Sequence, residues 1–393
     1  MLSSTIGVLL LAAGIVSGKT CYNVTVPVSI SARNGVFDGI NTPTTNTDAT
    51  AFVLNITRQG SNFTDDALTD YDTVSGRYNI STQYCAPNGT MSNGTTLQIL
   101  THGIGLDKSY WDLPYSNFNY SYVDYALSRG FQTLSYDRLG LGNSSHGDPK
   151  NEIQTFLEVE ALAQITRMIR NGSVPGIRQK PSKIVHVGHS YGSAQTYALV
   201  AKYPSLSDGI VLTGFSLNSS FTPLFLAGAN FQQASQNRTT STQSSNKYSP
   251  GYLSSGNAGN CEFLFFYPNY FDSKILAYAE QNKQPVTVGE LLTMGSLPTT
   301  NDFTGPVFVI DGSNDVPFCG GNCTATGGNG TSIAASVKDA FPSAKTFSSY
   351  IQPNTGHGLN MHYNATGGYK EIADFLQKQG FAAKMKMKKK TRN

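Results

Sequence analysis

The 393-residue chain has little that would commit it to a membrane, a nucleic acid or a metal. Spanning a bilayer takes about 20 consecutive apolar residues; the N-terminal run Ile6 to Val16 is too short and no later stretch has the length needed, so no stable membrane span is predicted. Positive charge is scarce except at one end. The net charge is +3, but Lys384, Lys386, Lys388, Lys389, Lys390 and Arg392 crowd into the last ten positions, leaving the remainder slightly negative. No nucleic-acid partner is therefore expected. The chain has no internal repeat. Its five cysteines have no histidine beside them at zinc-ligand spacing, so neither a metal nor a cofactor is expected.

Five is also an odd number, so the cysteines cannot all pair within one chain. Cys21 and Cys85 flank an N-terminal β-rich region, and a bridge between them would add roughly 4 kcal/mol in the chain-entropy model. Cys319 and Cys323 lie together and Cys261 lies far from both, so one of these three is expected to be free. Other features agree with an oxidising, extracellular location. Residues 1–18 read as a signal peptide: Ile6 to Val16 is an apolar run and Val16-Ser17-Gly18 offers a small-residue cleavage site, although a basic leader is missing. Asn-x-Ser/Thr sequons begin at Asn23, Asn55, Asn62, Asn79, Asn88, Asn93, Asn119, Asn143, Asn171, Asn218, Asn237, Asn322, Asn329 and Asn364. That is roughly twice the chance number, so many are expected to be exposed and glycosylated. Asn143 and Asn322 lie near the functional loops described below, and both are not expected to be used. Residues 381–393 read as a disordered basic tail able to contact acidic surfaces.

The remaining pattern is an alternation of strand and helix. Val24–Ile30, Ala51–Ile56 and Arg77–Tyr84 read as early strands, followed by strands at Leu97–Leu100 and Phe131–Tyr136. Helices are predicted near Tyr120–Ser128 and, with Phe156, Leu157, Leu162, Ile165, Met168 and Ile169 on one face, up to Asn171-Gly172. Strands follow at Lys183–Val187 and Ile210–Thr213. The rhythm breaks over 216–300, where a Ser/Gln/Asn-rich middle is flanked by apolar and aromatic residues such as Phe263 to Tyr267. It resumes with a strand at Pro306–Asp311, a helix near Ile333–Phe341, a strand near Thr346–Ile351 and a helix over Tyr369–Gln379. This predicts an α/β fold, a mostly parallel central sheet covered by helices on both faces. Its core would be 19–215 with 301–380, and 216–300 an inserted cap.

One stretch carries the chemistry. Lys183 to Ala194 runs from an apolar strand through Gly188-His189-Ser190-Tyr191-Gly192 into a helical pattern, the setting in which a serine on a sharp turn stands clear of the sheet. A serine hydroxyl is a weak nucleophile and needs a base. His357, in Asn354-Thr355-Gly356-His357-Gly358 between the last strand and the last helix, is the candidate; His362 is its rival, or else a surface helix residue. Asp315, just past the strand ending at Ile310, would orient that imidazole. Asp311 is the alternative, more suited to a turn bond. The N–H groups of Tyr191 and Ile104 would bind a developing oxyanion, with His102 holding the loop of Ile104 in place.

Taken together, His102-Gly103-x-Gly105, Asp137-Arg138-x-Gly140-x-Gly142-x-Ser144, Gly188-His189-Ser190-Tyr191-Gly192 and the order Ser, Asp, His resemble the α/β-hydrolase superfamily, in its branch with a cap. The resemblance spans about Leu97 to Gln379 apart from the cap. It implies the α/β-hydrolase fold and a Ser190-His357-Asp315 acyl-enzyme mechanism; the aromatic residues of 216–300 suggest a small ester substrate with an apolar group. A peptidase of the proline-aminopeptidase kind, a cofactor-free peroxidase and a non-catalytic binding protein on the same fold remain alternatives. In one departure, Gly105 stands where that branch often has proline.

Overall fold

The computed structural model describes residues 19–87, 95–177, 180–237, 248–326 and 330–381. The leader, the basic tail beyond Phe381, the sequons at Asn88, Asn93 and Asn329 and the centre of the polar stretch (238–247) lie outside the described residues.

Eight strands form one sheet in the order β1-β2-β4-β3-β5-β6-β10-β11. β1 (Lys19–Val36) and β2 (Asp70–Pro87) are an antiparallel pair, and β2 joins β4 (Gln132–Tyr136) antiparallel. From β4 through β3 (Thr96–Thr101), β5 (Lys183–His189), β6 (Gly209–Thr213), β10 (Val307–Gly312) and β11 (Phe347–Gln352) every pairing is parallel. Parallel strands buried on both faces are near-continuously apolar, and β3, β4, β6 and β10 have no exposed position.

Two apolar clusters sandwich this sheet. Leu157, Leu162 and Ile165 of α4 (Thr155–Asn171) pack with Val26, Val28, Ile80, Leu97 and Ile99. Tyr122, Val123 and Ala126 of α3 (Tyr122–Ser128) and Ile372 and Leu376 of the C-terminal helix (Ala365–Lys378) join Val185, Val187 and Val309 in the other. Each fully buried Leu or Ile here contributes about 1.5–3 kcal/mol. α4 ends as read, with Gly172 at φ 74° accepting the left-handed turn that closes a helix. The C-terminal helix starts four residues before the expected Tyr369, and Gly367 and Gly368 in its first turn lie close to Gln352.

One early strand is not a strand. Asn46–Ile56 is a helix, α1, and Phe63–Ala67 a second short one, α2. Thr45 and Asp48 close a capping box, and only Ala49 and Phe52 are buried. The apolar run from Ala51 to Leu54 concealed a helical period, since four residues are too few to separate the two.

The 216–300 segment carries α6 (Thr222–Ala229), a small antiparallel sheet of β7 (Gln232–Gln233), β8 (Tyr252–Ser254) and β9 (Val286–Thr287), and helices at Ala258–Phe265, Ser273–Asn282 and Val288–Thr293. Cys21 pairs with Cys85 and Cys319 with Cys323, leaving Cys261 buried and free. Asn237 is an exception among the sequons: it is buried, donating to the carbonyls of Ser255 and Gly256, and cannot carry a glycan in this fold.

Candidate active site

The strand β5 passes into α5 (Tyr191–Lys202) through Ser190, whose φ of 56° and ψ of −121° lie outside the regions side chains ordinarily occupy. The turn closes because its glycines have no Cβ. A methyl on Gly188 would lie 2.4 Å from the Gly192 carbonyl oxygen, and one on Gly192 2.2 Å from that of Thr101. Ser190 thereby sits at the N-terminus of α5, whose first N–H groups have no partner within the helix. Its own N–H donates to the Thr213 carbonyl of β6, which fixes the turn to the sheet.

Asp315 and His357 meet behind it. Asp315 Oδ2 lies 2.6 Å from His357 Nδ1, with both side chains fully buried. Its other oxygen accepts the Phe318 N–H at 2.9 Å, capping the short helix Val316–Cys319. The carboxylate is therefore held from two sides, and the Cys319–Cys323 bridge closes the loop just beyond it. The imidazole is walled by Phe318 and Phe265, with ring centroids at 5.6 and 6.0 Å, and by His189, the residue before the serine, at 4.9 Å. Among the described residues no hydrogen bond joins the Ser190 hydroxyl to His357; such contacts are commonly long before substrate binds.

Asp311, the alternative acid, points elsewhere: it accepts the Phe215 N–H at 2.7 Å. Burial, and then the neighbouring Asp315 charge, raise it well above the usual carboxylate range. His102, His186 and His362 are held by hydrogen bonds within the fold. His102 Nε2 accepts the Arg138 N–H and its Nδ1 bonds the Gly103 carbonyl, with burial and then Arg138 holding it neutral. His186 lies between Thr166 and Ser207, lowered to about 3 by burial. His362 is no surface residue. Fully buried, it accepts the N–H groups of Gly356 and Tyr267, both at 3.0 Å, and bonds the Gly358 carbonyl, and burial lowers it to about 4. It joins the His357 loop to segment 216–300.

Ile104 and Tyr191, the two candidate oxyanion donors, flank Ser190. A methyl on Gly103, the residue before Ile104, would lie 2.8 Å from Ser190 Cβ, so that loop runs directly beside the serine. Tyr191 follows it, and its side chain enters a network that the sequence did not signal. The phenol donates to Glu158 at 2.8 Å and meets Thr155 at 2.7 Å, while the Arg138 guanidinium lies over its ring at 4.6 Å. Arg138, fully buried, pairs with Glu158 of α4 and with Glu290 of the Val288–Thr293 helix. Burial pushes the Glu158 carboxyl up to about 8 against the pull of Arg138, and Glu290 adds to the rise. Arg138 stands in a motif that could have drawn notice; Glu158 and Glu290 are ordinary helical acids in sequence.

Two groups of side chains, Cys21–Cys85–Asp112 and Asp311–Cys319–Cys323, are close enough to suggest metal ligands. In each the sulfurs are joined to one another as disulfides.

The sequence model of the alpha/beta hydrolase family matches residues 98–366. No curated protein matches the chain. Among solved structures, an esterase from Thermogutta terrifontis is 14% identical with a TM-score of 0.52, the alignment covering 77% of this chain and 95% of that one. The enol-lactonase from Burkholderia xenovorans is 15% identical with a TM-score of 0.50, covering 76% of this chain and 97% of that one. Likeness at these identities concerns the fold.

Proposed function

Since the chain belongs to the alpha/beta hydrolase family, we propose that it is a serine hydrolase cleaving carboxylic esters, with Ser190, His357 and Asp315 as its catalytic residues. The observation that carries this reading is the strained turn at Ser190, on the helix N-terminus, with a buried Asp315–His357 bond of 2.6 Å behind it. The Ser190 hydroxyl adds to the ester carbonyl carbon while its proton passes to His357 Nε2. Asp315 holds the Nδ1–H and stabilises the imidazolium. The N–H groups of Ile104 and Tyr191 receive the tetrahedral oxyanion, a donor typically worth about 10²–10³ in rate. Collapse expels the alcohol with the proton from His357, and water repeats the cycle on the acyl-serine.

Residues 216–300 act as the cap over this site. Secretion is part of the proposal, supported by two disulfides and by exposed sequon asparagines such as Asn23, Asn62, Asn79 and Asn119; no helix among the described residues is long and apolar enough to cross a membrane. Fluorophosphonate labelling tests the nucleophile, and a panel of p-nitrophenyl esters against aminoacyl amides tests the bond cleaved. Labelling at Ser190 with ester turnover is expected. A protein that takes no label, or cleaves only the amides, would reject this reading.

A further inference from the structure

Phe265 lies against three glycines beside the candidate catalytic groups, with its ring on Gly105 and its carbonyl on Gly356 and Gly358. Phe265, at the end of the Ala258–Phe265 helix, is buried between the loop of Ile104 and the loop of His357. Its ring lies nearly parallel to the His357 imidazole, at 18° and a centroid distance of 6.0 Å. On the other side its edge meets Gly105, where a methyl would come within 3.2 Å of Phe265 Cζ. A Cβ on Gly356 would lie 2.8 Å from the Phe265 carbonyl oxygen, and one on Gly358 3.1 Å from it. Gly105 also has φ 77°, which the ring of proline forbids. The departure from proline at this position thus goes with an aromatic side chain seated against it.

The seat is fastened on both sides. The Gly358 N–H donates to the Phe265 carbonyl at 2.7 Å, and the Gln284 N–H donates to the Gly105 carbonyl at 3.1 Å. His362 accepts the Tyr267 N–H two residues on, and Glu290 reaches the buried Arg138. Anchors on the oxyanion loop, the His357 loop and the core make Phe265 a fixed wall.

Building on the ester-hydrolase reading, we propose that Phe265 is a specificity-determining residue that fills the space between Gly105 and His357 and restricts the substrate to esters with a short acyl chain. The ring takes up a benzyl-sized volume beside His357 and Gly105 that a longer acyl chain would otherwise enter.

The test uses the full chain and its Phe265→Ala and Phe265→Leu variants, labelled with a fluorophosphonate and assayed on p-nitrophenyl acetate and octanoate. Thermal unfolding serves as the folding control. In Phe265→Ala the octanoate-to-acetate ratio of kcat/KM is expected to rise by about tenfold or more, the scale on which apolar pockets discriminate size. Phe265→Leu should move it the same way by less. Folded, labelled variants whose ratio stays within about twofold of wild type would overturn the inference and leave the hydrolase reading standing. If the alanine variant does not fold, the leucine variant decides by the same criterion. A wild-type protein that takes no label at Ser190 would instead remove the hydrolase reading and this inference with it.

Discussion

The sheet and the 216–300 segment are built on different terms. The candidate nucleophile, acid and base follow β5, β10 and β11, strands paired in parallel, of which β5 and β10 are buried and the edge strand β11 half-buried. The segment above them is made of two- and three-residue strands and helices of at most ten residues. Its links to the loops around the site include the backbone bonds Gly358–Phe265, Gln284–Gly105 and Tyr363–Tyr270, the His362 contact to Tyr267 and the Arg138–Glu290 pair. Chemistry that tolerates little displacement is placed on rigid strand ends. In the proposed function, shape around the substrate is left to these shorter elements. Damage to the first region should abolish turnover, whereas damage at the fastenings should cost stability and selectivity.

The most severe break of that contrast would come at the turn. Ser190→Ala is expected to lower kcat on a p-nitrophenyl ester by several powers of ten, on the order of 10⁶ at most. Turnover resembling wild type would show that the sheet edge is not where the chemistry happens. Next in size is the acid. Asp315→Asn should cost about 10⁴ in kcat, while Asp311→Asn, which replaces a carboxyl held up by burial, should cost less than about tenfold. Equal losses in steady-state assays would contradict the assignment of the orienting role to Asp315.

A fastening comes third. Arg138→Met strands Glu158 and Glu290 in the interior without a cation, and should destabilise the protein by about 3–5 kcal/mol in chemical denaturation. A loss below about 1 kcal/mol, the range of an exposed ion pair, would mean the triad does not tie the two regions together. The smallest effect concerns His362, whose folded value near 4 lies below the ordinary 6.5. In the window between those values the unfolded chain binds a proton that the folded one refuses, so stability rises with pH there and falls on acidification. The contribution is about 2 kcal/mol between pH 7 and pH 5. His362→Gln should lessen this slope in denaturant titrations; an unaltered slope would clear His362 of the role.

Much of the sheet region was legible in the residues themselves. Gly188, Ser190 and Gly192 sit where only a strand-to-helix turn suits them, and the apolar runs of β3, β5, β6 and β10 announce buried parallel strands. The order of Ser190, Asp315 and His357 followed from loops that return to one edge. Legibility failed where the deciding partner was distant. The helix α1 was read as a strand because its apolar run is short and its capping residues precede it. His362 looked superficial, yet it accepts N–H groups from Gly356 and from Tyr267, 95 residues away in sequence. Asn237 looked like a glycan carrier until its amide was found bonded to Ser255 and Gly256.

By itself the sequence determined most local conformations: which segments alternate, where the strained turn falls, and which residue types could serve the proposed acyl transfer. These depend on backbone sterics and side-chain period over a few neighbours. Only the tertiary structure decided that Arg138, Glu158 and Glu290 share one buried site, that His357 lies between Phe265 and Phe318, and that Gly105 faces an aromatic ring. Close packing joins residues from about twenty to about 160 positions apart, and a buried charge or ring takes its meaning from whatever surrounds it once water is gone.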